Sequence, residues 1–191
     1  TPKFQGGFGL SGQWKNFDFT ANFNYMVDFD VYNATNYMLS SSISNTNNFY
    51  NVLADFTQKN RWTYVRADGE CLYKNTNIDV SVNEYITMNA GKSLWNPADV
   101  EDKVTHSYFV EDGSFLRLQD VTIGYTLPSN LTKKWGMSKV RFYASASNLF
   151  ILTGYSGYDP EVDVQSGLTP SMDYNRYPRS RSFVFGTNIT F

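Results

Sequence analysis

Apolar and polar residues alternate along much of this chain. Over residues 4–15, Phe4, Gly6, Phe8, Leu10, Gly12 and Trp14 take one parity, and Gln5, Gly7, Gly9, Ser11, Gln13 and Lys15 take the other. A period of two places successive side chains on opposite faces of a β-strand. Residues 17–29 repeat the pattern, with Phe17, Phe19, Ala21, Phe23, Tyr25, Val27 and Phe29 against Asp18, Thr20, Asn22, Asn24, Met26 and Asp28. The short break at Lys15-Asn16-Phe17 predicts a tight hairpin between these strands. A third strand is predicted over 114–127 and closed by Pro128, but its phase slips: Leu116 and Leu118 share one parity, Val121, Ile123, Tyr125 and Leu127 the other. The slip reads as a β-bulge, or as an upper strand segment packed under loops and a lower one facing an apolar medium. A fourth strand over 139–152 sets Val140, Phe142, Ala144, Ala146, Phe150 and Leu152 against Arg141, Tyr143, Ser145 and Ser147. The fifth, 180–191, opposes Phe183, Phe185, Ile189 and Phe191 to Ser182, Gly186, Asn188 and Thr190.

Between the second and third strands, residues 30–113 are rich in Asn, Ser, Asp and Tyr and hold no alternating segment of comparable length. Structureless loops beyond about 12–15 residues are uncommon, so local structure is expected there. Phe49, Tyr50, Val52, Leu53 and Phe56 suit a short helix, and Ile78, Val80 and Val82 a short strand. Residues 128–138 form a connection punctuated by Pro128 and Gly136, and 153–179 form a polar loop with Pro160, Pro170 and Pro178.

Connections therefore alternate between short and long. Transmembrane β-barrels have this asymmetry, with short turns on the periplasmic rim, long extracellular loops, and strands apolar toward lipid and polar toward the lumen. A spanning β-strand needs only about 9–11 residues, so no 20-residue apolar run is required, and none is found. The competing class, a soluble all-β carbohydrate-binding module, would use strands of about 5–6 residues with turns every 8–12. The asymmetry puts the 15–17 turn and the 128–138 connection on the periplasmic side and loops 30–113 and 153–179 outside. Five strands cannot close even the smallest barrel of about 8, so this sequence is expected to be the C-terminal piece of something larger.

Composition narrows the function classes. The 191 residues include 15 Phe, 14 Tyr and 4 Trp, an aromatic content of 17% that favours strands. A net charge of −2 with no dense Lys/Arg run provides no field for gripping phosphates, which argues against nucleic acid as a partner. The single Cys71 excludes an intrachain disulfide, and with only His106 a multi-histidine metal site or His-based nucleophile has little to work with. No convergent catalytic set is visible, so an enzyme on a β-scaffold is disfavoured, and no cofactor or metal is expected. Tyr158-Asp159-Pro160-Glu161-Val162-Asp163 clusters three carboxylates. These oxygens suit a hard cation, but the spacing completes no metal loop, and an Asp-Pro turn is the simpler reading.

Several stretches resemble the SusC/RagA-type TonB-dependent outer-membrane transporters of Bacteroidetes. They are PKFQGGF at 2–8, KNFDFTANFNY at 15–25, NRWT at 60–63, VEDGSFLRLQDVTIGYTLP at 110–128, VRFYASASNLFILTGYSGYDPEV at 140–162, and the terminal strand ending in Phe191. The resemblance implies a barrel of about 22 strands with an N-terminal plug. It also implies a SusD-like surface lipoprotein that lids the barrel, and import of oligosaccharide or peptide energised by TonB-ExbB-ExbD. This chain would then supply the last five strands, without the plug or the TonB-contacting segment. The stretch between NRWT and VEDGSF carries no strong family pattern.

Within that frame, Asp18, Asn22, Asn24, Arg141 and Tyr143 are lumen-facing candidates, lining a solute path or bonding the plug and interior water. Trp14, Phe17, Tyr125, Trp135, Phe142, Phe183, Phe185 and Phe191 suit the lipid face and the aromatic girdles at its borders. In the loops, Tyr37, Phe49, Tyr50, Trp62, Tyr64, Trp95 and Tyr108 are candidates for stacking on substrate or contacting the lid, with internal loop packing as the alternative. The Asn-X-Thr triplets at Asn33, Asn130 and Asn188 are expected by chance in so Asn- and Thr-rich a chain, and no role is assigned to them.

Overall fold

A computed structural model describes residues 2–40, 51–57, 59–69, 71, 82–97, 106–161, 171–174 and 176–191. In chain order its elements are β1 (Phe4–Trp14), β2 (Phe17–Val27), β3 (Asp30–Asn33), α1 (Ala34–Leu39), α2 (Val82–Met88), β4 (Val110–Asp112), β5 (Phe115–Thr126), α3 (Ser129–Thr132), β6 (Lys139–Thr153), β7 (Met172–Asp173) and β8 (Ser182–Thr190). The chain divides into two units, one of residues 1–33 and 108–191, the other of residues 34–107.

The first unit is built on a five-stranded antiparallel sheet in the order β1-β2-β5-β6-β8. Strands β1 and β2 pair along their whole length, from Phe4 opposite Val27 to Trp14 opposite Phe17. Lys15 turns the chain between them with a left-handed φ of 54°. Asn16 ties that turn to β5 in both directions, its Nδ2 donating to the Thr126 carbonyl and its own carbonyl accepting from the Thr126 amide, each at 2.8 Å. The return from β5 to β6 passes through α3 and ends at Gly136, whose φ of 70° suits a residue without a Cβ.

The slipped phase of the third strand is a bulge. Ala21 faces Val121, but two residues along β2 Phe23 faces Leu118, leaving Gln119 as an extra residue in β5. Between β5 and β6 the offset grows again, since Asp120 faces Ser147 while Leu118 faces Phe150, and Asn148 adopts a φ of 53°. Each extra residue shifts the side-chain alternation by one. Leu116 and Leu118 therefore stay on the same face as Val121, Ile123 and Tyr125.

At the end of the sheet where β2 and β6 finish, β3 pairs antiparallel with β4 and parallel with β7 in a three-stranded sheet ordered β4-β3-β7. Beside it Phe29, Val31, Phe115 and Tyr155 form a buried cluster, joined by Met26 and Ile151. Phe29 departs from the expected alternation. Asp28, at a φ of 62°, ends β2 after Val27, and Phe29 enters this cluster instead of continuing the apolar strand face. Gly113 closes against the cluster: a Cβ there would lie 2.6 Å from Val31 Cγ2 and 2.7 Å from Phe29 Cε2, so only glycine fits.

The second unit contains α1, α2 and short bridges that pair Arg61 with Leu94 and Val65 with Cys71. Asn89, almost fully buried, acts as its organiser. Its Oδ1 accepts from the Thr63 amide at 2.9 Å, and its Nδ2 donates to the Thr63 and Tyr85 carbonyls at 3.1 and 2.9 Å. The helix expected around Val52, Leu53 and Phe56 is not formed over 51–57, where turns and buried Phe56 stand instead; helix forms at α1 and α2. Val82, expected in a short strand, begins α2. Phe49, Tyr50, Ile78 and Val80 lie outside the described residues.

Candidate functional site

The register sorts the large sheet into two faces of opposite chemistry. One carries Phe4, Phe8, Leu10, Trp14, Phe17, Phe19, Phe23, Ile123, Tyr125, Phe142, Phe150, Leu152, Phe183, Phe185 and Ile189. Most of these side chains are exposed: Trp14 by 68%, Phe142 by 48%, Phe183 by 60% and Phe185 by 80%. Phe8 stacks on Phe23 at 4.8 Å and Phe17 tilts against Tyr125 at 4.6 Å, so the apolar surface runs continuously from strand to strand. Exposed apolar patches on soluble monomers rarely exceed a few hundred Å², and a face of this extent marks a surface that meets lipid or further protein. Phe191 follows β8 and is 88% exposed, and Trp135 stands exposed in the α3 connection.

The opposite face is polar and internally bonded. Asp18, Gly124, Tyr143 and Gly186 form one cross-strand row. Arg141 reaches across this row, its Nε donating to Asp18 Oδ1 at 2.9 Å and its second nitrogen to Asp18 Oδ2. A Cβ on Gly124 would meet both the guanidinium and the carboxylate, so the glycine is the gap that lets the pair close. The Arg141 guanidinium sits 5.3 Å from the Tyr143 ring centroid, and that ring lies over Gly186. Along the same face Thr122 and Ser145 share a hydrogen bond of 2.8 Å, and Ser147 donates to Asp120 at 2.7 Å. Asn22 stands in register between Gly9 and Asp120, and Asn24 between Gly7 and Arg117. All five sequence-derived lumen candidates thus share one face, although only Asp18 and Arg141 bond each other.

Sequence reasoning missed the ionic cluster where β5 meets the segment after β6. Arg117 is buried and donates to Asp159 Oδ1 at 2.6 Å, while its Nε lies 3.3 Å from Glu161 Oε2 without the alignment of a hydrogen bond. Arg179 binds the other Glu161 oxygen at 2.8 Å. Asp159 Oδ1 also accepts from the Glu161 amide at 3.0 Å, a local turn fixed by the aspartate. The carboxylates of the Asp-Pro stretch therefore answer a buried guanidinium; Asp163 lies outside the described residues. A second knot ties the segment after β6 to the three-stranded sheet. Glu111 accepts from Asn33 Nδ2 at 3.0 Å, from Ser156 Oγ at 2.8 Å and from the Ser156 amide at 2.8 Å. Tyr155 donates its hydroxyl to buried Asp173 at 2.7 Å, and burial, followed by that carboxylate, pushes its pKa well above the usual phenol value. Arg117, flanked by leucines within a strand, was the available signal: a charge in an apolar run needs a partner elsewhere.

The loop aromatics are engaged in internal packing. Trp62 meets the Tyr85 ring edge-on at 5.2 Å and donates to the Lys92 carbonyl at 3.1 Å, and Tyr64 stacks on Tyr85 at 4.8 Å. Trp95 stacks on His106 at 4.8 Å and meets Phe56 edge-on, and Tyr108 packs edge-on against Phe109 while remaining 54% exposed. Tyr37 lies on α1. Among the described residues no group of three or more His, Cys, Asp or Glu side chains is placed to hold a metal ion.

No family model matches the chain. It is 32% identical over its full length to the TonB-dependent receptor P3 of Formosa agariphila, of which it covers 16%. Over 44% of its length it is 41% identical to the TonB-dependent receptor SusC of Bacteroides thetaiotaomicron, of which that match covers 8%. Among solved structures, the RagAB peptide transporter aligns with the entire chain at a TM-score of 0.68 and 26% identity, the match spanning 18% of the transporter chain. The chain thus spans less than a fifth of these relatives, which are receptors and transporters rather than enzymes. Sequence and fold together place it among the SusC/RagA-type TonB-dependent receptors, as a C-terminal portion of one.

Proposed function

We propose that this chain forms the closing wall of an outer-membrane importer energised through TonB. The observation that carries the reading is the opposition of an exposed apolar face and a bonded polar face on one antiparallel sheet. An 11-residue strand such as β1 measures about 36 Å at a rise of about 3.3 Å per residue. Tilted by about 45° it crosses about 26 Å, close to the ~25 Å apolar band of outer-membrane barrels. The apolar face meets lipid and the polar face lines the lumen. Among the described residues strands β1 and β8 each pair on one side only, and edge amides in lipid require partners, so further strands of the whole receptor complete a barrel of about 22.

The turns at Lys15-Asn16 and around α3 then lie on the periplasmic rim, and the three-stranded sheet and long connections lie outside. In the whole receptor a SusD-like surface lipoprotein meets the outer loops and TonB-ExbB-ExbD supplies the energy for import. The cargo is an oligosaccharide or a peptide, the second in line with the similarity to the RagAB peptide transporter. The test is a pair of arginine substitutions in the full-length receptor. Phe185→Arg is expected to cost about 2–4 kcal/mol at the middle of the apolar band and to deplete folded receptor from the outer membrane. Ser145→Arg, on the polar face, is expected to leave most of it assembled. Equal tolerance of the two would overturn the assignment of faces, and uptake that survives a protonophore would overturn energised import.

A further inference from the structure

The polar face of the large sheet changes character toward the end where β3 begins. Around Asp18, Thr122 and Ser147 it carries hydrogen-bonded polar groups. Further along, the register puts Asn24, Arg117 and Ile151 in one row of that face and Met26, Phe115 and Thr153 in the next. The apolar members of these rows are covered by the chain itself. Phe115 is 3% exposed, and Phe29, Val31 and Tyr155 pack with it, Met26 and Ile151. Arg117 projects from the same face and is buried because Asp159 and Glu161 lie against it. Residues 155–161 therefore run over the polar face instead of straight out from the strand ends. Leu152, which follows Ile151 but points to the apolar face, is left 60% exposed, so the cover is one-sided. The covering segment is held at separate places: Ser156 to Glu111 on β4, Tyr155 to Asp173 on β7, Asp159 and Glu161 to Arg117 on β5, and Glu161 to Arg179 ahead of β8. Lifting it would leave the Arg117 guanidinium unpaired beside Phe115, and a buried charge without a partner is strongly disfavoured.

We infer that residues 154–161, backed by the β3–β4 pair, form a fixed shelf that projects over the mouth of the solute path and narrows it from this wall. The inference rests on the importer reading above, in which the polar face is the lumen. Arg117 is then the latch of the shelf. By parity it is a charge aimed into the lumen, yet its guanidinium is spent on Asp159 and Glu161, and cargo entering along this wall meets the shelf instead. Because the bonds of the shelf end on β4, β5 and β7 and ahead of β8, it is part of the wall and not a flap hung from one strand.

Distances between pairs of nitroxide labels, measured by double electron–electron resonance in the full-length receptor in bilayers, test this. Native cysteines, Cys71 among them, are first replaced by serine. One label goes on Tyr158→Cys in the shelf, and the other on Ser147→Cys, Ala146→Cys or Ser145→Cys in β6, where successive side chains take opposite faces. The distance at 146 is expected to exceed the mean of those at 145 and 147, because only the label at 146 lies across the sheet from the shelf. Each distance should form one narrow distribution, which Arg117→Met broadens. A distance at 146 equal to that mean, as for a segment standing straight out from the strands, or below it, as for one leaning to the apolar face, would overturn the shelf. Two resolved populations with Arg117 in place would overturn its fixity, and an unchanged width in Arg117→Met would overturn the latch. Failure of the importer reading would show separately, as equal tolerance of Phe185→Arg and Ser145→Arg, with these distances unaffected.

Discussion

Arg117 offers the sharpest perturbation. Replacing it with methionine keeps an apolar stem and removes the guanidinium, which lies 5.6 Å from the Phe115 ring centroid, leaving Asp159 and Glu161 without it at 13% and 18% side-chain exposure. Breaking a buried pair from one side costs about 3–5 kcal/mol, because the remaining charge is neither solvated nor paired. Here the lower end applies: Glu161 keeps Arg179, Asp159 keeps the Glu161 amide, and both carboxylates reach some water. A loss of about 3 kcal/mol is therefore expected for Arg117→Met in the full-length receptor, read from its urea unfolding midpoint in lipid. Asp159→Asn alone should cost about 2 kcal/mol, the value of one charge-assisted bond. The double variant should cost clearly less than the sum, with a coupling of about 2 kcal/mol, since each single change already breaks the contact. Amide exchange over 154–161 should accelerate in all three. Additivity within about 0.5 kcal/mol, or a single-variant cost below about 1 kcal/mol, would refute the claim that this cluster anchors the segment.

Other expectations follow from the same structure. Gly124→Ala should separate Asp18 from Arg141 and cost about 1–3 kcal/mol in unfolding measurements, whereas Gly12→Ala, with open space around its Cβ position, should be near neutral. Gly113→Ala drives a methyl group into Val31 and Phe29 and should cost about 1–3 kcal/mol, recovered in part by Val31→Ala. Asp112 accepts from the Ser114 hydroxyl and amide, and these bonds hold its carboxyl below the ordinary value of 3.8. The stabilisation is complete above that ordinary value and is lost as pH falls through the lower folded value, so exchange of the Ser114 amide should accelerate only in that acidic window and not in Asp112→Asn, where it is already fast.

Much of the sheet was legible from periodicity because an apolar and a polar face impose opposite demands on alternating positions, and the register adds strands without changing the pattern. Even the bulge at Gln119 left a trace, as the parity change between Leu118 and Val121. Phe29 was misread because parity assumes a continuing strand, and a single left-handed residue, Asp28, sends the next side chain into a core. The helical segments escaped because short helices with few apolar residues carry little periodic signal; Val82 reads as a strand residue by propensity, yet begins α2. Asp159 and Glu161 showed as a turn, but their partner lies 42 residues earlier than Asp159, a separation that no local pattern encodes. Whether the loop aromatics bind or pack internally stayed open in sequence because exposure is invisible there; Trp62 and Tyr64 pack on Tyr85, and Trp95 on His106.

The central claim is that one face of this sheet meets lipid and the other does not. Nitroxide labels at single cysteines replacing Phe142, Tyr143, Ala144, Ser145, Phe183, Val184 and Phe185, one per variant of the full-length receptor in bilayers, test it directly. Collision rates with oxygen, which concentrates in lipid, and with a water-soluble nickel chelate are then compared at each position. The account predicts high oxygen and low chelate access at 142, 144, 183 and 185, with the ratio reversing at 143, 145 and 184. A ratio that fails to alternate along β6 and β8, or that alternates with the opposite parity, would contradict it.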